Sequence, residues 1–203
     1  MTTEILIKAV EQADSAEGLL EAVEALASVK NVAAIPTLVN VLNYNNPGAA
    51  VAAVEGLVNI GEPVVPYLLN NVDDYNYGTR AWMIRVFAGV GDPRSLDLLL
   101  KTAIEDFSLS VRRSAVKGIG SIHWQLLTSE DAKSGQQKVL DTLFLACDDG
   151  EWVVRYAAIA SLQSLSMVAV HFQPQITAKF EDLLINDPEL GIKARVKLAV
   201  QRF

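Results

Sequence analysis

Apolar residues recur at three- and four-residue intervals along almost the whole chain, and nowhere does the two-residue alternation of a half-buried strand persist. The pattern predicts helices, and it repeats. Ala53–Pro63 aligns position by position with Met83–Pro93, 30 residues on. Ala115–Ile122 continues the series after 32 residues and Ala158–Leu165 after 43, with Ala22–Leu26 ahead of them. Second amphipathic segments lie between these: Ile35–Leu42, Val65–Leu69, Ser95–Leu100, Val139–Phe144 and Phe180–Leu184. Each repeat therefore reads as two helices, A and then B. Pro36, Pro66 and Pro93 fall near the starts of A helices, where a missing N–H costs nothing. Gly61 and Gly91 follow B helices, where a left-handed cap is wanted.

A charged register runs through the same frame. Asp74 precedes Arg80 by six residues, and the spacing returns in Asp106 and Arg112, Asp149 and Arg155, and Asp187 and Lys193. An acid in the turn between A and B can cap the B helix, and a cation in the following turn and a half can meet the acid of its own or of a neighbouring repeat. This pattern resembles the Asp and Arg ladder of HEAT repeats. It implies an all-α solenoid of about five to six helix pairs, a single domain over residues 1–203. The lengthened repeat implies a longer connector at about 123–138, with polar residues 129–137 as a solvated loop.

Composition narrows the function. With 51% hydrophobic residues the chain has ample material for a core, and a net charge of −7 opposes the phosphate neutralisation on which nucleic-acid binding depends. No apolar run reaches the roughly 18 residues of a spanning helix, so membrane insertion is not expected. The opening residues, with Glu4 and no basic stretch before a long apolar run, do not read as a signal peptide. Cys147 is the only cysteine; with only His123 and His171 beside it, neither a disulfide nor a zinc site is expected, and a reducing cytoplasm fits. The acids beside it, Asp148 and Asp149, favour a buried structural thiol over a reactive one.

Repeated apolar positions belong to the core, so candidate chemistry is sought where one repeat departs from its siblings. The turn from Asp73 to Arg80 carries Tyr75 and Tyr77, and Tyr44, Phe107 and Trp152 occupy nearby turn positions elsewhere. With Arg80, Arg112 and Arg155 they form either a rim for a flat acidic ligand or a set of turn-covering aromatics beside a purely structural ladder. Trp82 stands where the siblings have Ala52, Ser114 and Ala157, and Arg85 and Gly89 share its helical face. That face is either an aromatic plane with two cations or a packing gap filled by an indole. His123 and Trp124 form the third departure, His123 standing where Gly61 and Gly91 cap their helices.

The stretch Tyr75–Trp82, reading Tyr-Asn-Tyr-Gly-Thr-Arg-Ala-Trp, and the following Gly89–Leu99 resemble the HEAT-like phycobilin lyases of cyanobacteria, and within them the smaller subunits of the heterodimeric phycocyanobilin lyases. The resemblance spans nearly the whole chain. It implies an enzyme subunit that, with a larger lyase subunit, delivers phycocyanobilin to the apo phycocyanin alpha chain. There a cysteine forms a thioether with the A-ring ethylidene, so the pigment is a transferred substrate and no cofactor stays bound. On this reading Tyr75, Tyr77, Arg80, Trp82, Arg85 and Trp124 hold the bilin, Asp74, Asp106 and His123 are candidate proton-handling groups, and no metal takes part. A related lyase that also isomerises its bilin carries His-Cys-Gln where this chain has His123-Trp124-Gln125, which implies ligation without isomerisation. The other implied possibility is a noncatalytic adaptor or chaperone that binds phycobiliproteins during phycobilisome assembly or degradation.

Overall fold

The computed structural model describes residues 1–72 and 76–201, so Asp74 and Tyr75 lie outside the described residues. Those residues form twelve α-helices and no strand: α1 (Thr3–Glu11), α2 (Ala16–Ser28), α3 (Ile35–Val41), α4 (Pro47–Ile60), α5 (Val64–Leu69), α6 (Tyr77–Val90), α7 (Leu96–Glu105), α8 (Leu109–Ile119), α9 (Ser129–Ala146), α10 (Trp152–Val168), α11 (Gln173–Asn186) and α12 (Leu190–Val200). None is long and apolar enough to cross a membrane. The helices group into two compact units, Met1–Asp92 and Pro93–Phe203.

In the first unit the B helices α2, α4 and α6 pack side by side, with α1 and α3 against α2 and α4. The approach is close because small residues meet there. A Cβ on Gly56 would stand 2.6 Å from the Cβ of Ala27, and one on Gly89 would stand 2.5 Å from a methyl of Val58. Asn46 caps α4 by accepting from Ala49 N–H at 3.0 Å and donates to the Ala16 carbonyl at the start of α2, also at 3.0 Å. Asn76 caps α6 through Thr79 N–H, and the Thr79 hydroxyl donates to Asn43 Oδ1 at 2.8 Å. Gly61 and Gly91 close α4 and α6 with φ of 83° and 67°; Gly91 adopts the left-handed cap anticipated, whereas Gly61, with ψ of −141°, shares the positive φ but not the left-handed helical conformation.

The second unit lines up α8, α10 and α12, with α7 and α9 packed on one another and α11 against α10 and α12. Its core is filled by Leu99, Ile119, Leu140, Leu143, Ile159, Leu162 and Phe180, all fully buried or nearly so. Here the ladder appears in full, and its cations reach forward. Arg112 of α8 donates Nε and Nη2 to the two carboxylate oxygens of Asp149 at 2.8 and 3.1 Å, and Arg155 of α10 does the same to Asp187 at 2.8 and 3.2 Å. The third nitrogen turns back to its own repeat, Arg112 Nη1 to the Asp106 carbonyl and Arg155 Nη1 to the Asp149 carbonyl, each at 2.9 Å. Each aspartate also accepts from the backbone N–H two residues on, at Ser108, Glu151 and Glu189. One guanidinium thus ties two successive turns. Lys193, the last member of the register, donates to the Ile185 carbonyl at 3.1 Å.

Two sequence expectations change. Residues 129–137 are not a loop but the first half of α9, because Thr128 accepts from Asp131 N–H and the first turn carries Glu130 and Asp131. The connector shrinks to a 3-10 turn over Trp124–Leu126. Nor does His123 cap α8: that helix ends at Ile119, with Gly120 as its C-cap, and His123 instead precedes the 3-10 turn. Gly120 sits so close to Ser161 of α10 that a Cβ would stand 2.8 Å from the Ser161 Cα, so the end of α8 leaves no room for a side chain.

Candidate functional site

On α6 the anticipated juxtaposition is present. Trp82 and Arg85 are three residues apart, so they project from one helical face, and the guanidinium carbon of Arg85 lies 4.4 Å from the centre of the Trp82 ring. The indole is half-buried and Arg85 is exposed, leaving a cation stacked on an aromatic plane at the surface. Tyr77, the first residue of α6, is 57% exposed. Gly89, further along the face, has a packing reason of its own in the close approach to Val58.

Arg80 is different. It holds the ladder register of α6 and is buried at 6% exposure, as Arg155 is in α10 at 9%. Its side chain is therefore packed within the protein and is not a rim cation open to a ligand. At the same register Arg112 and Arg155 fold back over their preceding turns, onto the Asp106 and Asp149 carbonyls, because a helical side chain leans toward its helix N-terminus. Trp124 also serves packing. Its ring lies over Gly135 of α9, where an added Cβ would stand 2.8 Å from the indole, with Leu96 of α7 alongside. Asp106 is half-buried, and its Oδ1 accepts from Ser108 N–H at 2.8 Å. His123 is exposed, and the 3-10 turn follows its carbonyl through Leu126 N–H.

The second unit presents a cleft that the sequence reading passed over. Arg113 of α8 and Trp152, Val153 and Tyr156 of α10 line a concavity of about 410 Å³. Trp152 and Tyr156 meet edge to face, their ring centres 6.4 Å apart. Arg195 of α12 lies over Tyr156 at 5.8 Å and is steadied by its 2.7 Å hydrogen bond to Gln163. A signal existed: Arg113 and Tyr156 each follow a ladder arginine directly, so the exposed column beside the ladder was readable as a face.

Electrostatics separates the ladder from this cleft. Burial pushes Asp149 and Asp187 upward, but hydrogen bonds from Arg112 and Arg155 and from backbone N–H groups outweigh it and hold both carboxyls below the usual range. Their partners Arg112 and Arg155 are raised, first by those same hydrogen bonds. Cys147 is buried and its thiol is pushed up to about 12 by desolvation, the inert thiol expected. Among the described residues no group of three or more His, Cys, Asp or Glu is placed to hold a metal ion.

Comparison with known proteins decides the family. A family model described as HEAT repeats matches residues 3–77 and 65–163. The chain is 48% identical over 199 residues to a phycocyanobilin lyase subunit beta of Nostoc sp., covering 98% of each protein. It is 49% identical over 193 residues to the phycocyanin alpha phycocyanobilin lyase CpcF of Synechocystis sp., covering 95% of this chain and 90% of that one. The chain belongs to the phycocyanobilin lyase beta-subunit family. This family's architecture is visible in a chain of the solved complex of CpcE and CpcF of phycocyanin lyase from Nostoc sp. PCC7120, which matches with a TM-score of 0.80 at 47% identity over 84% of this chain and 99% of that one.

Proposed function

We infer that the chain is the beta subunit of a heterodimeric lyase that attaches phycocyanobilin to a cysteine of the phycocyanin alpha chain, working with a larger HEAT-repeat subunit. The observation that carries this reading is the match, at 47% identity, to a chain of the CpcE and CpcF complex. The reaction adds the acceptor thiol across the A-ring ethylidene: a carbon–sulfur bond forms, the carbon–carbon π bond breaks, and the thiol proton ends on the tetrapyrrole. No group leaves, so the protein's task is to hold a flexible pigment in one conformation before one thiol.

Trp82 and Arg85 suit that task, the indole as a plane for conjugated rings and the guanidinium for a propionate, with Tyr77 on the same helix. His123 is exposed and available for proton handling, whereas the Asp106 carboxylate is already engaged by its turn. The bilin is substrate rather than cofactor. The same proposal treats residues 1–203 as one repeat domain, since the second family match, 65–163, runs across the boundary between the units, and places the reaction in the cyanobacterial cytoplasm, consistent with a buried free thiol.

Coexpression of this chain with the larger subunit, the apo alpha chain and a source of phycocyanobilin tests the reading. An alpha chain that stays coloured after denaturation is expected. Replacing Trp82 by Ala is expected to lower the coloured fraction per folded heterodimer about tenfold. Colour that is equal with and without this chain contradicts the reading and favours a noncatalytic adaptor.

A further inference from the structure

The face built by α8, α10 and α12 combines three features that the ladder does not consume. Its aromatic rings are open: Trp152 is 47% exposed and Tyr156 40%. Its cations are open too, since Arg113 and Lys117 are exposed, one helical turn apart on α8, and neither makes an ion pair or hydrogen bond among the described residues. And it is concave, with about 410 Å³ between Arg113 and the two rings. In a chain of net charge −7, two exposed cations that make no ion pair among the described residues stand beside two exposed aromatic rings. The column that carries Lys117 in α8 carries Glu55 in α4, Arg85 in α6 and Ala160 in α10, so its charge is not fixed by the repeat and belongs to individual helices.

These features select one chemistry: a planar conjugated ligand bearing carboxylates. Perpendicular rings offer one face for stacking and one edge for contact, which suits a ligand of several linked rings that are not coplanar. Arg113 and Lys117, on successive turns, match two carboxylates carried by adjacent rings, and the guanidinium grips one of them bidentately. Arg195, fixed by Gln163 and lying over Tyr156, holds that ring in place and adds positive potential. We propose that this face is a second binding surface for the open-chain tetrapyrrole, which lies against Trp152 and Tyr156 with its two propionates on Arg113 and Lys117. The inference rests on the bilin-lyase reading and adds to it a site in the second unit, separate from Trp82 and Arg85.

The test titrates phycocyanobilin into the purified heterodimer and follows the pigment's visible absorbance and induced circular dichroism. Trp152→Ala and the paired Arg113→Gln, Lys117→Gln variant alter exposed side chains and are each expected to weaken pigment binding about tenfold, with unchanged heterodimer on size exclusion. The charge variant also flattens the salt dependence of binding. Binding that is unaffected by these changes but lost in Trp82→Ala overturns the second site and leaves the lyase reading intact. Dissociation of the heterodimer in Trp152→Ala makes the face a subunit contact and likewise overturns the ligand assignment. A wild-type heterodimer that neither binds pigment nor colours the alpha chain overturns both.

Discussion

The two units connect successive repeats with different chemistry at the same place in the repeat. In Met1–Asp92 the starts of α4 and α6 are tied back by neutral groups, Asn46 to the Ala16 carbonyl and Thr79 to Asn43, while glycines bring the helices close. In Pro93–Phe203 the corresponding turns are joined by bidentate Arg–Asp pairs, with the N–H two residues beyond each aspartate also donating to it. A neutral amide link works only at short range and needs small residues to make the approach possible. A guanidinium spans two turns and sets the register of one repeat against the next, at the cost of desolvating both charges. Beside the buried Arg80, the first unit therefore relies on neutral, closely packed links, whereas the second adds bidentate charged pairs to a close approach of its own at Gly120, and the two units should fail under different insults.

Breaking the charged end is expected to have the largest effect. Arg155→Ala leaves Asp187, 6% exposed, without its bidentate donor and should destabilise the protein by about 3 kcal/mol in urea unfolding. A double variant, Arg155→Met with Asp187→Leu, should recover most of that loss, because it removes both charges rather than stranding one. Amide exchange should accelerate in α10 and α12 while α2 and α4 keep their protection.

Breaking the neutral end comes next. Gly56→Ala gains about 1 kcal/mol in helix propensity but drives a methyl into Ala27, where overpacking costs roughly 1–3 kcal/mol. A net loss of about 1 kcal/mol is expected by thermal melting, with faster exchange confined to α2 and α4. Adding Ala27→Gly should relieve the contact.

Acid separates the units more gently. Because Asp149 and Asp187 are held below the ordinary carboxylate range, the unfolded chain takes up protons before the folded one does. Their contribution is complete above the unfolded value of about 3.9 and is lost as pH falls below it toward the depressed native values. Exchange measured from pH 5 down to pH 3 should therefore open the second unit first, and Asp149→Asn with Asp187→Asn should remove much of that slope. The smallest structural effect is expected for exposed His123→Ala, within about 0.5 kcal/mol of wild type on melting. Any larger fall in pigment transfer in that variant then reports on function alone.

The helical frame was legible because the apolar period, the prolines and the cap glycines at 61 and 91 all pointed one way. The direction of the ladder was not, since a six-residue spacing allows a cation to meet its own acid or the next one, and only packing of α8 on α10 and α10 on α12 selects the next. Residues 129–137 were misread because the first half of α9 is mostly solvent-facing and lacks an apolar stripe; the cap pair of Thr128 and Asp131 was the better guide. Trp82 and Arg85 could be paired from spacing alone, being neighbours on one helix. The burial of Arg80 and the cleft between Arg113 and Tyr156 depend on how helices from different repeats meet, which no local pattern encodes.

The most direct test of the central claim is the mass of the phycocyanin alpha chain after incubation with phycocyanobilin and the larger subunit, with and without this protein. An alpha chain heavier by the mass of one bilin, with the increment mapping to a single cysteine peptide, is expected only when both subunits are present. An alpha chain that remains unmodified with both subunits, or is modified to the same extent without this one, would contradict that claim.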